Sequence, residues 1–412
     1  MDQSGYTQKD ISIIIVSYNA KAFLKLCLYS VNKSAQGISS EIIIVDNASS
    51  DGTIDMIRSN FQDVHLIANT QNVGFSAANN QAIHKASGKI ILLLNPDTII
   101  GENTFREIIQ FYHERPKAAA VGVKMIDGSG RYLRESKRGL PTPRTSLFKL
   151  TGLAKLFPKS RRYAKYYQGH LNENEAQQSD ILSGAFMAFR KDLLKKTHAF
   201  DESFFMYGED IDLSYRLSQQ GDENYYIGTL PIIHFKGEST PMNTKLAYHF
   251  YHSMWIFYQL HFKHAFSALT ALFVKAGIYF ATGISVINLP FRKLRHLIQQ
   301  KNLKRYQTIL FCSTSESIYT EIEIQKLYPA TFNVQFIHPD DLNETLSVQL
   351  SKKTMVIFDL ANLNIAQMIR FIEKKADHAF FSFLSPDQSF ILCSQNSYGK
   401  GQLTQIHSNA LA

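Results

Sequence analysis

One feature limits the fold of this sequence more than any other: the strict alternation of short apolar runs with helical patterns over its first 125 or so residues. The runs are Ile11–Val16, Glu41–Val45, Val64–Ala68, Ile90–Leu94 and Ala118–Val123. They are short, rich in β-branched side chains and almost unbroken by polar residues, which predicts strands buried on both faces. Helix-like stretches separate them at Ala20–Val31, Thr53–Asn60, Phe75–Ala86 and Asn103–Glu114. Strand, helix, strand, helix predicts an α/β fold with a mostly parallel central sheet. In such sheets ligands bind outside the carboxyl ends of the strands, so the residues just after each run are the ones to inspect.

A chain of 412 residues with 45% apolar content is long enough for two or three domains. We divide it at 1–262, 263–305 and 306–412. The last block repeats the first pattern on a smaller scale. Its strands are expected at Gln307–Cys312, Asn333–Ile337, Thr354–Asp359 and Ala379–Leu384, and its helices at Ser317–Tyr328, Asp340–Gln349 and Ile365–Lys374. Its first turn, Ser313–Ser317, lacks GxGxxG. No strand in the chain is followed by that loop, which argues against a dinucleotide oxidoreductase. Cys27, Cys312 and Cys393 form no CxxC pair, as expected of a reducing compartment. Met1–Asp10 has no apolar core of a secretory signal, so a cytoplasmic location is expected.

The net charge of +9 favours anionic partners. Two segments point to a surface. Arg131–Lys165 holds eleven Lys and Arg residues, with Glu135 as its only acid and aromatic residues between them. It reads as a mobile insertion facing an anionic surface. Ala265–Leu289 is apolar apart from Lys275 and a few hydroxyl and amide side chains, and Arg292, Lys293, Arg295, Lys301, Lys304 and Arg305 follow it. A single span would carry that basic cluster outside, against the positive-inside rule. The expectation is a membrane-associating helical segment lying on the inner face of the cell membrane. No recognition helix or base-stacking motif accompanies the charge, so no nucleic-acid partner is expected.

The strand ends carry the chemistry. Val16-Ser17-Tyr18-Asn19 follows the first run, with Asn19 suited to cap the next helix. Asp46 ends the second run, where a carboxylate accepts hydrogen bonds from a pyrimidine N–H or a ribose hydroxyl. Gly74 permits close backbone approach, and Asn79 and Asn80 sit early in a helix that amides disfavour. The fourth run ends in Asn95-Pro96-Asp97, which places a carboxylate to hold Mn²⁺ or Mg²⁺ against a diphosphate. Glu209, Asp210 and Asp212 crowd one helix start. Asp212 finds Arg216 one turn on, whereas Asp210 has no obvious partner and suits proton abstraction. His234 ends a strand before a Gly-containing loop, a fair position for a metal or phosphate ligand.

Taken in order, VSYN (Val16–Asn19), DNASSDGT (Asp46–Thr53), NVGFSAANN (Asn72–Asn80), LLLNPD (Leu92–Asp97), SGAFMAFRKD (Ser183–Asp192), FDESFFMYGEDIDLSYRL (Phe200–Leu217) and HFKGES (His234–Ser239) resemble family 2 glycosyltransferases, in the rhamnosyltransferase-like branch. The resemblance runs from about Ile11 to Leu260. It implies a GT-A, Rossmann-like catalytic domain and an inverting, metal-dependent transfer of a sugar from a nucleotide diphosphate sugar to a glycan or lipid-linked glycan acceptor. It also implies roles. Ser17 and Asp46 would contact the nucleoside, with Asn19, Asn79, Asn95 and Gly184 in the same nucleotide-sugar site. Asp97 would bind the metal in the family's DxD position, His234 would complete the metal or diphosphate site, and Asp210 would be the general base, with Glu209 as its neighbour and lesser substitute. Asn95 replaces the first acid of DxD, which removes one carboxylate. The terminal block lies outside the family pattern and loosely resembles a degenerate Rossmann-like unit. The competing reading is a non-catalytic nucleotide-sugar-binding or scaffolding protein of a polysaccharide assembly complex.

Overall fold

A computed structural model describes residues 8–236, 244–263, 275–277, 283, 307–314, 333–342, 350–351, 353–394 and 401–406. The chain opens with β1 (Ile11–Ser17), α1 (Lys21–Ser34), β2 (Ser40–Asp46), α2 (Thr53–Asn60), β3 (His65–Ala68), α3 (Phe75–Lys85) and β4 (Ile90–Leu94). It continues through β5 (Thr98–Ile99), α4 (Thr104–Glu114) and β6 (Ala118–Ile126), then β7 (Lys137–Arg138), α5 (Pro143–Leu150) and α6 (Leu153–Leu156). Next come β8 (Ala176–Gln178), β9 (Ile181–Leu182), β10 (Phe186–Arg190), α7 (Leu194–Thr197), α8 (Glu209–Ser218), β11 (Glu223–His234) and α9 (Thr244–His261).

The strands build a nine-stranded sheet in the order β3-β2-β1-β4-β10-β6-β11-β5, with β8 beside β11. β3, β2, β1, β4, β6 and β11 run one way and β10, β5 and β8 the other, so the sheet is mixed but mostly parallel, as expected. Every side chain of β1, β4 and β6 is buried. The sheet carries a separate apolar cluster on each face, one against α1 and α4 and one against α3 and α8. One strand departs from the expectation of burial on both faces. β3 is exposed at its ends and half-buried between, because it is the outermost strand and has a neighbour on one side only.

The basic segment, expected as a mobile insertion facing an anionic surface, is in part regular structure packed into the domain. It contains β7, α5 and α6, and two of its cations turn inward: Lys137, which is buried, donates to the carbonyls of Gln168 and Leu171, and Arg138, partly buried, reaches Asp210. Among the described residues no helix is long and apolar enough to cross a membrane. The expected membrane-associating segment, 263–305, lies almost wholly outside the described residues.

The terminal block forms a second sheet, β13-β12-β14-β15-β16-β17, from β12 (Thr308–Cys312), β13 (Asn333–Ile337), β14 (Thr354–Asp359), β15 (Phe380–Leu384), β16 (Phe390–Cys393) and β17 (Gln402–Gln405). β12 to β15 are parallel, and β16 and β17 turn back. This unit is docked on the first domain. Leu310, Val356, Phe358, Phe381 and Phe383 on one face of its sheet share a single core with Leu26, Ile99, Ile126, Ile233 and Phe235 of the first domain. The approach is close. A Cβ on Gly128 would meet the Ser394 carbonyl oxygen at 1.8 Å, and one on Gly130, where φ is +87°, would meet that of Ile372 at 2.2 Å. Polar ties ring the contact: Lys124 with Glu373, Arg131 with Asp377, and Lys25 with Asp387.

Candidate active site at the carboxyl edge of the first sheet

Parallel strands bring their carboxyl ends to one edge, and the candidate residues gather there. Ser17 ends β1 directly opposite Asp46 at the end of β2. Both are fully buried. Asp46 Oδ1 accepts from the Ser49 amide at 2.8 Å, whereas Asp46 Oδ2 and Ser17 Oγ have no hydrogen-bond partner. Asn19 does not cap α1 as expected. It sits in the left-handed region at φ 51°, and its Oδ1 accepts from the Ser50 amide at 2.8 Å, so it braces the loop after β2 instead.

Beyond β4, the Asn95-Pro96-Asp97 turn is held from behind. Cys27 Sγ and Thr98 Oγ1 both reach the Asn95 carbonyl, and burial pushes the Cys27 thiol up to about 12, which leaves it inert. β5 then pairs with the end of β11, setting Thr98 opposite His234, and the Phe235 amide donates to the Asp97 carbonyl at 2.9 Å. This short ladder brings His234 Nε2 within 3.4 Å of both Asp97 Oδ1 and Asn95 Nδ2. Asp97 Oδ1 and His234 Nδ1 are buried and have no hydrogen-bond partner.

Buried polar atoms are nearly always satisfied in a folded protein, so four such groups on one sheet edge call for a polar ligand. A hard divalent cation fits the Asp97 and His234 pair. Mn²⁺ and Mg²⁺ accept carboxylate and imidazole donors and take their remaining ligands from water and substrate phosphates. Among the described residues no cluster of three or more His, Cys, Asp or Glu side chains stands ready for a metal, so the diphosphate would have to supply much of the coordination shell.

The acid pair at the start of α8 joins the same edge through Gly184. The Gly184 amide donates to Asp210 Oδ2 at 3.2 Å, and the neighbouring Ala185 carbonyl accepts from the Asn95 amide at 2.9 Å. Asp210 is not without a partner. Arg138 from β7 pairs with its Oδ2, and the Ile211 amide donates to Oδ1 at 2.8 Å. Burial opposes the Arg138 charge, but the Asp210 carboxylate outweighs it and holds the guanidinium firmly protonated. Glu209 is buried too, with Oε2 unpartnered, and burial together with the Asp210 charge pushes its carboxyl up to about 8. The two neighbours are thus treated differently: one is ion-paired, and the other is kept neutral at pH 7. Asp212 bonds Arg216 at 2.8 Å, as its spacing predicted, and also His261 at 2.7 Å. Burial pushes its carboxyl up, and these two partners more than reverse the effect.

Asn79 is buried in α3, where its amide donates to the Phe75 carbonyl at 2.8 Å, and Asn80 bonds the Phe200 backbone and Glu202. Arg138 is the residue that sequence reasoning missed. Within its run of cations nothing local marks it as buried, and only the antiparallel pairing of β7 with β9 carries it to Asp210.

Residues 12–197 match the Glycosyl transferase family 2 model. Three relatives are similar over little more than half of this chain. The hexosyltransferase Agl10 of low-salt glycan biosynthesis in Haloferax volcanii is 28% identical over 228 residues, covering 54% of this chain and 66% of its own length. The N-acetylglucosaminyl-diphospho-decaprenol L-rhamnosyltransferase of Mycobacterium tuberculosis is 24% identical over 241 residues, covering 56% and 77%. The rhamnosyltransferase WbbL of Escherichia coli is 26% identical over 234 residues, covering 55% and 83%. The match begins in β1, takes in every strand end described above except that of β11, and is joined by similarity to rhamnosyl- and hexosyltransferases, so residues 12–197, a little under half of the chain, carry the pattern of glycosyl transferase family 2.

Proposed function

We propose that this protein is an inverting, metal-dependent glycosyltransferase that moves a sugar, rhamnose first among the candidates, from a nucleotide diphosphate donor to a glycan or lipid-linked glycan. The observation that carries this reading is the set of buried, unpartnered atoms on one edge: Ser17 Oγ, Asp46 Oδ2, Asp97 Oδ1 and His234 Nδ1. Ser17 and Asp46 would receive the nucleoside. Asp97 and His234 would hold Mn²⁺ or Mg²⁺, which when bound offsets the charge that grows on the departing diphosphate.

Asp210 would take the proton from the acceptor hydroxyl as its oxygen attacks the anomeric carbon from the face opposite the diphosphate. Three contacts already occupy its carboxylate, which has about four acceptor positions, leaving one for the acceptor. Arg138 and the two amides fix the direction of that free lone pair. Glu209, kept neutral, spares the site a second negative charge beside the base. Synthesis of cell-surface glycan at the inner membrane face fits a relative whose acceptor is carried on decaprenol.

A thermal-shift panel of dTDP-rhamnose and UDP-sugars with and without Mn²⁺ tests the reading. Stabilisation by a nucleotide sugar that needs the metal and disappears in Asp97→Asn is expected. Equal transfer or donor hydrolysis by the wild type and Asp210→Asn would sink the enzymatic reading.

A further inference from the structure

The basic insertion divides its charges between two jobs. Arg138 and Lys137 are held by protein partners, Arg131 pairs with Asp377, and Lys149 lies 3.6 Å from the centre of the Tyr166 ring. Of the others, Arg144, Arg161, Arg162 and Lys165 lie together. They converge with Thr142, Thr145 and Phe148 on one groove of about 340 Å³. That size falls within the range of small-ligand sites. Among the described residues none of the four forms an ion pair with a carboxylate. All four side chains are exposed, and an anion seated in the concavity would offset the repulsion among them. The groove also lies at the first turn of α5, which Thr142 caps, so the positive end of that helix faces the same space. Paired Arg side chains match phosphate oxygens in fork geometry.

We propose that this groove is a second anion site, separate from the donor edge, that receives a phosphate or diphosphate group. Resting on the glycosyltransferase reading, its occupant is the phosphate-bearing end of the acceptor. The segment that lines the groove also carries Arg138 to the base: β7 precedes α5, and Tyr166, next to Lys165, lies in the field of both Lys149 and Arg138. Acceptor phosphate and base are thus positioned by one continuous stretch of chain.

Inorganic pyrophosphate is the first probe. It is titrated calorimetrically into the full chain with EDTA present, so that no cation fills the Asp97 site. Salt-sensitive binding is expected, weakened about tenfold or more in Arg161→Gln/Arg162→Gln, since a charge-assisted bond of this kind is commonly worth a factor of ten. Both side chains are exposed, so an unchanged melting temperature should accompany the loss. The second probe is co-sedimentation with phosphatidylcholine vesicles with and without phosphatidylglycerol. Displacement from the anionic vesicles by pyrophosphate identifies a lipid-borne phosphate as occupant, and pyrophosphate binding without vesicle binding identifies a soluble one. Equal pyrophosphate binding by wild type and variant, or vesicle binding that pyrophosphate does not displace, overturns the site. The Mn²⁺-dependent nucleotide response is read separately on Asp97→Asn, so failure of the donor site and failure of the groove leave different records.

Discussion

The two sheets of this protein end their parallel strands in opposite ways. At the carboxyl edge of the first, polar groups are buried and left open: Ser17, Asp46, Asp97 and His234 each keep an atom without a partner. At the same edge of the second, polar groups are closed. Asp359 ends β14 and accepts from Ser313 Oγ at 2.9 Å, Asn362 Nδ2 at 2.8 Å and the Ala361 amide at 3.1 Å. The helix Ile365–Lys374 begins there, and each of its first four amides has an acceptor. Glu102 of the first domain takes the amides of Ile365 and Ala366 at 2.6 and 3.0 Å, and Asn364 takes those of Gln367 and Met368. Tyr29 and Lys33 of α1 cover the neighbouring carbonyls of Leu360, Ala361 and Leu363. A helix N-terminus that elsewhere receives an anionic ligand receives here a carboxylate of the same chain. The same sheet edge thus keeps polar atoms open in one domain and is used for docking in the other. Satisfaction of its polar atoms tells the two apart.

That contrast can be broken in several places. The largest effect is expected at the open edge. Asp210→Asn should lower transfer by about 10²–10⁴-fold, the usual worth of a general base, and should also lower the melting temperature, because it removes the charge that Arg138 pairs with. Steady-state rates at saturating donor measure it. At the closed edge the large effect should be on stability. Phe383 packs on Phe235, with ring centres 5.3 Å apart, and Phe383→Ala should cost about 3–5 kcal/mol in urea denaturation. A native-like midpoint for this variant would mean the two domains do not share a core. Glu102→Ala removes the cap on the docked helix and should cost about 0.5–2 kcal/mol. A loss confined to its two amide protections in hydrogen exchange would sharpen the assignment. Ser17→Ala deletes an unpartnered hydroxyl, so stability should move by less than about 0.5 kcal/mol while donor affinity falls.

Glu209 offers a test through pH. Its carboxyl lies near 8 in the folded chain against an ordinary value of 4.5. Between those values the folded form holds the proton that the unfolded form releases, so this residue makes stability fall as pH rises across the window. Urea midpoints of Glu209→Gln taken from pH 5 to 8 should show a flatter profile than wild type. An unchanged profile would mean that the side chain is not held neutral.

The local pattern was legible because period and polarity are local quantities. Thr53–Asn60, Ile90–Leu94, Asn333–Ile337, Thr354–Asp359 and the helix Ile365–Lys374 have the bounds that their spacing predicts, the other expected elements among the described residues shift by a few residues at their ends, and the helix expected at Ser317–Tyr328 and most of that at Asp340–Gln349 lie outside the described residues. Asp97 and His234 were legible as strand-end residues, and β5 with β11 brings them within 3.4 Å of each other. The partner of Asp210 was not legible, since Arg138 lies 72 residues away in a run of similar cations. Nor was the seat of the terminal unit. What requires Gly128 and Gly130 is the backbone of another domain.

The sequence by itself determined the two α/β units, the carboxyl edge on which chemistry would gather and the family pattern, because buried strands, turn residues and motif order are all written along the chain. The tertiary structure alone decided which charges pair inside the protein and which stay exposed. It also decided that the second unit is docked by the carboxyl edge of its sheet. Pairing, burial and closure depend on residues far apart in the chain, and no local period records them.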